Sequence, residues 1–85
     1  MFRILISNEA EKRYMKLDMD TKRRINKCIE QIGKEPLYGI HIKRLHGQLA
    51  GKFRFAVGGL IIVYEVNIKT QVVEIKSIKS RGDAY

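Results

Sequence analysis

The side chains best suited to chemistry in this sequence are cations, joined by one tyrosine. An arginine stays protonated and can bind two phosphate oxygens at once, so such residues suit charge stabilisation at a phosphate. A lysine crowded by other cations can transfer a proton, and a tyrosine can stack on a nucleobase. The alternative is a solvated basic face without a ligand. The candidates are Lys43 and Arg44, Lys52 and Arg54, and Arg81 with Tyr85.

Lys52 and Arg54 belong to a predicted β-hairpin that spans residues 52–64 and turns at a Gly-Gly pair. Glycine suits a two-residue hairpin turn because such turns need positive φ angles. Side chains alternate along a strand, so Phe53 and Phe55 face one way and the two cations face the other. The aromatic side is the expected core face, which leaves Lys52 and Arg54 together on the open face.

The turn also fixes which residues lie opposite each other in the hairpin. Paired residues share a face of the sheet, so this register predicts the neighbours of the cations. It places Ile61 on the same face as Lys52 and Arg54. The predicted pairs are Val57 with Leu60, Ala56 with Ile61, Arg54 with Val63, and Lys52 with Glu65.

Other kinds of catalytic site find little support in the sequence. His41 and His46 are the only histidines and stand five residues apart in a predicted loop, and Cys28 falls on the apolar stripe of a predicted helix. This spacing does not match a zinc site, and no serine or cysteine stands in an activating context. We expect no metal and no cofactor.

Composition narrows the choice of partner. The 85 residues carry a net charge of +8, which favours polyanions such as nucleic acid or an acidic protein. The length predicts one domain, residues 1–85. A single cysteine suits a reducing compartment, and the apolar runs are far shorter than a membrane helix requires. We therefore expect a cytoplasmic protein that does not act at a membrane.

The first half of the chain predicts a strand followed by two helices. A strand is expected over Phe2–Ile6, and a first helix from a cap at Asn8 to about Asp18. Asp20 is the expected cap of a second helix, which carries an isoleucine stripe and ends at Gly33.

The second half predicts a loop and then the remaining strands. Residues 35–51 contain glycine breakers and are expected to be mostly loop, with Ile40 and Ile42 among the residues that pin it to the core. After the hairpin, a last strand is predicted over 71–78. The order β-α-α-β-β-β predicts an α+β domain with a mostly antiparallel sheet and a two-helix hairpin packed on one face.

Taken in order, several of these segments resemble the RelE/ParE toxin superfamily over nearly the whole chain. The segments are Lys43-Arg44-Leu45-His46-Gly47, Lys52-Phe53-Arg54-Phe55, the glycine turn, Ile62-Val63-Tyr64-Glu65-Val66, and Arg81 with Tyr85. The resemblance implies a RelE-like fold and a toxin of a type II toxin–antitoxin module, with a cognate antitoxin as partner.

RelE-type members of that superfamily cut mRNA on the ribosome without a metal, by attack of a 2′-hydroxyl on the scissile phosphate. The resemblance implies proton transfer and charge stabilisation by Lys52 and Arg54, a phosphate contact by Arg81, and base stacking by Tyr85. Lys43 and Arg44 are the expected RNA-binding residues beside this set.

One position departs from the superfamily pattern. Where the family usually has Tyr-Arg after the turn, this chain has Leu60-Ile61, so a cation is missing from the open face. A preorganised charge contact to a transition state contributes about 3 kcal/mol, roughly a hundredfold in rate. A weakened nuclease is one interpretation. The others are a ParE-like inhibitor of DNA gyrase and a non-catalytic basic binding domain.

Overall fold

A computed structural model of the chain describes residues 1–47 and 51–80. The elements in chain order are β1 (Arg3–Ile6), α1 (Asn8–Met15), α2 (Met19–Lys34), β2 (Ile42–Arg44), β3 (Lys52–Val57), β4 (Leu60–Asn67) and β5 (Val72–Ser80). These strands form one sheet in the order β1-β5-β4-β3-β2. β1 runs parallel to β5, and the other neighbouring strands are antiparallel. The predicted α+β class with a mostly antiparallel sheet is confirmed.

The core lies between the two helices and one face of the sheet. On β4 the buried residues alternate, with Leu60, Ile62 and Tyr64 turned toward the helices. Ile25 and Ile32 of α2 have no exposed surface and pack into the same cluster. This period-two pattern on the strand and the helical spacing on α2 bury one apolar side of each element. The opposite face of the sheet is the open face.

The β3–β4 hairpin has the predicted register. Val57 pairs with Leu60, Arg54 with Val63 and Lys52 with Glu65. Gly58 in the turn has a φ of 59°, in the left-handed region that glycine adopts without steric cost. The sequence therefore predicted correctly which face of the sheet receives each side chain of the hairpin.

Helix α1 begins at Asn8, the residue predicted as its cap, so the cap itself lies one residue earlier. The cap is Ser7 rather than Asn8, and its Oγ accepts a hydrogen bond from the backbone N–H of Ala10 at 3.2 Å. The same hydroxyl donates to the carbonyl of Lys76 at 3.0 Å, so it ties the helix start to β5. That second, long-range contact favours Ser7, and local sequence does not reveal it.

Helix α2 begins at a different aspartate from the predicted one. Asp18, not Asp20, is the cap, and Thr21 donates to it from both its hydroxyl and its backbone N–H. The hydroxyl bond in particular lowers the pKa of the Asp18 carboxyl below its ordinary value. The helix also continues through Gly33 to Lys34, and the N–H of Glu35 completes the last turn by donating to the Gln31 carbonyl at 3.0 Å. The Gly33 carbonyl accepts a hydrogen bond from the N–H of Phe2 at 2.9 Å.

The segment predicted as loop contains a short edge strand. β2 pairs antiparallel with β3, and its Ile42 lies opposite Phe55 and packs against the core as predicted. Ile40 was expected to pin the loop as well, but its side chain is 94% exposed, so that prediction is wrong. A strand of three residues is too short to show the alternation by which longer strands are recognised.

The last strand is longer than predicted. It was expected to end at Ile78, but β5 continues to Ser80, and the pairing of Ile61 with Lys79 and of Leu60 with Ser80 extends the sheet beside the turn. A β-bulge interrupts this pairing between Val63 and Tyr64. The two added residues place Lys79 in the sheet rather than in a polar tail.

Candidate functional site

The candidate site is the open face of β2, β3 and β4, and its position follows from the hairpin register. Phe53 and Phe55 are only 6% and 3% exposed because they face the helices. Since side chains alternate along β3, Lys52 and Arg54 face the opposite side. Lys43 of β2 pairs with Arg54, so it lies on that side as well. The structure thus brings together three of the predicted site residues.

Arg54 occupies the centre of this face. Its Nε atom is buried and has no hydrogen-bond partner among the residues that the structure describes. A buried donor without a partner costs about 1–3 kcal/mol, and more when the group is charged. Arg54 is flanked by Lys43 on β2 and Val63 on β4. An unsatisfied guanidinium donor beside a second cation favours an anion as the ligand of this face.

Lys52 is paired with a carboxylate rather than crowded only by cations. Its Nζ lies 3.8 Å from Oε2 of Glu65, the residue opposite it on β4. The Lys52 side chain is 26% exposed and that of Glu65 is 49% exposed. The predicted pairing of Lys52 with Glu65 is therefore confirmed, and an anionic ligand at Lys52 would lie close to the carboxylate of Glu65.

A second ion pair follows on the same face. Glu74 of β5 pairs with Glu65, and the ammonium of Lys76 contacts the Glu74 carboxylate. The hydrogen bond that the Lys76 ammonium donates to Glu74 raises the pKa of Lys76, and the charge of Glu65 adds to the shift. Lys76 lies at the β-bulge, which adds a residue to β5. Charges at this end of the face are therefore mixed in sign.

The two predicted RNA-binding residues of β2 lie on opposite faces of the sheet. Lys43 shares the open face with Arg54, but Arg44 pairs with Phe53 and lies on the helix side. The Arg44 guanidinium is 5.6 Å from the centre of the Phe53 ring, a cation–π distance. The structure does not bring Arg44 together with the other candidates, because β2 is a strand and successive side chains alternate.

The floor of the open face next to the turn is apolar. Ala56, Ile61 and Val63 lie there at the positions that the register predicted. Lys79 of β5 pairs with Ile61 and shares this face. Sequence reasoning missed Lys79, since the last strand was expected to end one residue earlier. Arg81 and Tyr85 lie outside the described residues, so their predicted roles stay predictions.

The described part of the chain shows no metal site and no membrane span. No group of three or more His, Cys, Asp or Glu side chains within residues 1–47 and 51–80 could hold a metal ion. Over the same residues, no helix is long and apolar enough to cross a membrane. His41 packs its ring against that of Phe55, with the ring centres 5.5 Å apart.

Solved toxin structures share this fold. A chain of the toxin–antitoxin complex RelBE2 from Mycobacterium tuberculosis matches with a TM-score of 0.84 and 21% identity, over 94% of this chain and 98% of that one. A chain of the archaeal RelE–RelB complex from Pyrococcus horikoshii OT3 matches at 0.81 and 26%, over 98% of each. The isolated E. coli RelE toxin matches at 0.82 and 17%, over 99% of this chain and 88% of that one. No protein-family model and no curated protein matches the sequence.

Proposed function

We infer that this chain, which has the fold of the RelE-like toxins, is the toxin of a type II toxin–antitoxin module and cuts mRNA on the ribosome. The fold agrees with solved toxins over nearly their whole length. Solved relatives that bear this fold are in complex with antitoxins named RelB and YefM, which supports a cognate antitoxin as the partner of this chain. The site of action is then the cytoplasm, where ribosomes translate mRNA.

The observation that carries the nuclease assignment is the unsatisfied Nε of Arg54 on a basic face. A phosphate group supplies the acceptor oxygens that this buried donor needs, and Lys43 and Lys52 add positive charge on either side. A purely apolar ligand would leave the guanidinium unpaired. The backbone of RNA is the polyanion that fits both this face and the net charge of +8.

The proposed reaction needs no metal. The ribose 2′-hydroxyl loses its proton and its oxygen bonds to phosphorus, while the bond from phosphorus to the 5′-oxygen breaks. The 5′-oxygen takes up a proton, and the products are a 2′,3′-cyclic phosphate and a 5′-hydroxyl. Lys52 serves proton transfer, and Arg54 stabilises the charge that develops on the phosphate oxygens. Arg81 contacts the scissile phosphate, and Tyr85 stacks on the substrate base.

Cleavage of ribosome-bound mRNA tests this function. We expect the chain to cut, and Arg54→Ala to lower the single-turnover rate by about a hundredfold because the main charge contact is lost. Ile61→Arg adds a cation to the apolar floor and is expected to raise the rate. Lys69→Ala, at the exposed turn between β4 and β5, is the control and leaves the rate unchanged. Absence of cutting by both the chain and Ile61→Arg would contradict the proposal.

Ile61 also supports a second candidate, a ParE-like inhibitor of DNA gyrase. That activity is a binding function and does not require a cation at this position, so the apolar floor of Ile61, Ala56 and Val63 is compatible with it. We expect purified protein to reduce supercoiling by gyrase if this candidate is correct. Unaffected supercoiling together with mRNA cleavage leaves the nuclease as the function.

A further inference from the structure

A lysine that sequence reasoning placed in the tail lies beside the candidate site. Lys79 is on β5, directly opposite Ile61 and therefore on the open face. Ala56 on β3, Ile61 on β4 and Lys79 on β5 lie side by side across the sheet. Lys79 therefore borders the apolar floor on the β5 side. Paired side chains on one face have Cβ atoms about 5 Å apart. Lys79 is half-buried, which limits the directions its ammonium can take.

Lys79 and Arg54 flank β4 from opposite sides. Neighbouring strands are about 4.8 Å apart, so the backbones of β3 and β5 are separated by about 10 Å across β4. Lys79 lies two residues beyond Ser77, the β5 residue in the row of Arg54, which is a shift of about 7 Å toward the turn. Both side chains are long enough to approach one phosphate group held above the floor of Ile61 and Val63.

Surrounding charge also favours a polyanion at this edge of the face. Beyond the end of β1, α1 covers the outer edge of β5, and the two enclose a cleft of about 430 Å³. Lys79 lines this cleft together with Lys12 and Lys16, while Glu9 is the carboxylate among the lining residues. A nucleic-acid strand that leaves the floor over Lys79 therefore enters a region of further positive charge.

We propose that Lys79 is a second phosphate-contacting catalytic residue of the open face, and that it supplies from β5 the positive charge absent at Ile61. This inference rests on the proposed mRNA cleavage. In that reaction the negative charge grows on the non-bridging oxygens, and a cation on the β5 side of the phosphate adds to the stabilisation that Arg54 provides from β3. Lys79 transfers no proton in this role.

Exchanging the two paired residues tests the proposal. We expect Lys79→Met to lower the single-turnover rate of mRNA cleavage by at least about tenfold, with Lys69→Met as the matched control. The double variant Ile61→Lys/Lys79→Ile moves the cation across one strand pair and keeps it on the same face. We expect this variant to recover most of the lost rate. Thermal unfolding of each variant shows whether the fold is kept.

Binding of an RNA that cannot react separates this inference from the proposed function. The probe is a single-stranded oligonucleotide with 2′-O-methyl groups, which lack the attacking hydroxyl. We expect Lys79→Met to weaken its binding several-fold and the exchanged variant to restore it. Equal rates and affinities for Lys79→Met and Lys69→Met would overturn the role of Lys79 while the nuclease stands. Absence of cleavage by both the unaltered chain and Ile61→Arg would overturn both proposals, and loss of antitoxin binding alone would assign Lys79 to that interface instead.

Discussion

At the residue scale, the pairing of Lys52 with Glu65 sets how strongly the open face attracts an anion. Their charged atoms are 3.8 Å apart, and both side chains remain partly exposed. A phosphate bound at Lys52 is attracted by the ammonium and repelled by the carboxylate, so Glu65 limits affinity. The same carboxylate holds Lys52 in place when no ligand is bound. Glu65 therefore weakens the binding of a phosphate and also orders the Lys52 side chain when no ligand is bound.

We expect Glu65→Gln to tighten binding of the 2′-O-methyl RNA by roughly two- to fivefold, the range that exposed ion pairs contribute. The amide keeps the shape of the side chain and removes the charge that opposes the phosphate. Affinity measured by fluorescence anisotropy checks this. Glu30→Gln is the matched control, since Glu30 pairs with Lys34 on α2 at 3.5 Å and lies away from the open face. Weaker binding by Glu65→Gln would contradict the prediction.

A second residue-scale prediction concerns Tyr64, which has no exposed surface and donates from its hydroxyl to the Pro36 carbonyl at 2.7 Å. Tyr64→Phe leaves that carbonyl unpaired, and we expect it to lower the free energy of unfolding by about 1–3 kcal/mol. Tyr38→Phe, at a tyrosine that is 71% exposed, is the control. Urea unfolding at neutral pH measures both values.

Burial raises the pKa of Tyr64 above its ordinary value of 10.0, so Tyr64 also affects stability at alkaline pH. The folded state holds this proton where the unfolded state releases it. The contribution is complete below about pH 10 and is lost as the pH rises further. We expect the stability of Tyr64→Phe to fall less steeply above pH 10 than that of the unaltered chain. Parallel pH profiles would contradict this.

At the scale of elements, the hairpin turn is held by its own glycine and by α2. Gly58 has a φ of 59°, and a Cβ there would lie 2.6 Å from Nη2 of Arg24. We expect Gly58→Ala to cost about 1–2 kcal/mol for the left-handed backbone, plus the cost of displacing Arg24. Gly47→Ala, at a φ of 69° with nothing within 4 Å, isolates the backbone cost. Equal losses in urea unfolding would show that Arg24 contributes nothing to the turn.

The hairpin could be predicted from the sequence, because its turn residues and its alternation are local and agree with each other. Short elements and element ends could not be predicted as well. The cap at Ser7 depends on a bond to Lys76, nearly the whole chain away, and the length of β5 depends on pairing with β4 beside the turn. Contacts between residues distant in sequence decide these details, and Lys79 was missed as a site residue for that reason.

The candidate site could be predicted only where it coincides with the hairpin. The face of Lys52 and Arg54 follows from alternation, as does the apolar position at Ile61. The sequence does not predict that Lys43 and Arg44 lie on opposite faces of the sheet, because this requires β2 to be a strand. The buried Nε of Arg54 is a property of packing, and no residue pattern reveals it.

At the scale of the whole molecule, the sheet separates an apolar side from a charged side. The helices cover the first, and the second carries the candidate cations in a chain of net charge +8. If three of these cations contact phosphates, the affinity for single-stranded RNA should fall roughly twentyfold between about 50 and about 200 mM salt. Anisotropy titrations at several salt concentrations check this. An affinity independent of salt would contradict phosphate binding.

The parallel pairing of β1 with β5 also governs when the molecule can be complete. Arg3 lies opposite Val72, and Ile6 lies opposite Ile75, so the first of the described strands pairs with the last. During translation β1 therefore cannot pair until β5 has been synthesised, while the β3–β4 hairpin can form earlier from local contacts. We expect the five-stranded sheet, and with it the position of Lys79 beside Ile61, to be complete only after β5 has been synthesised.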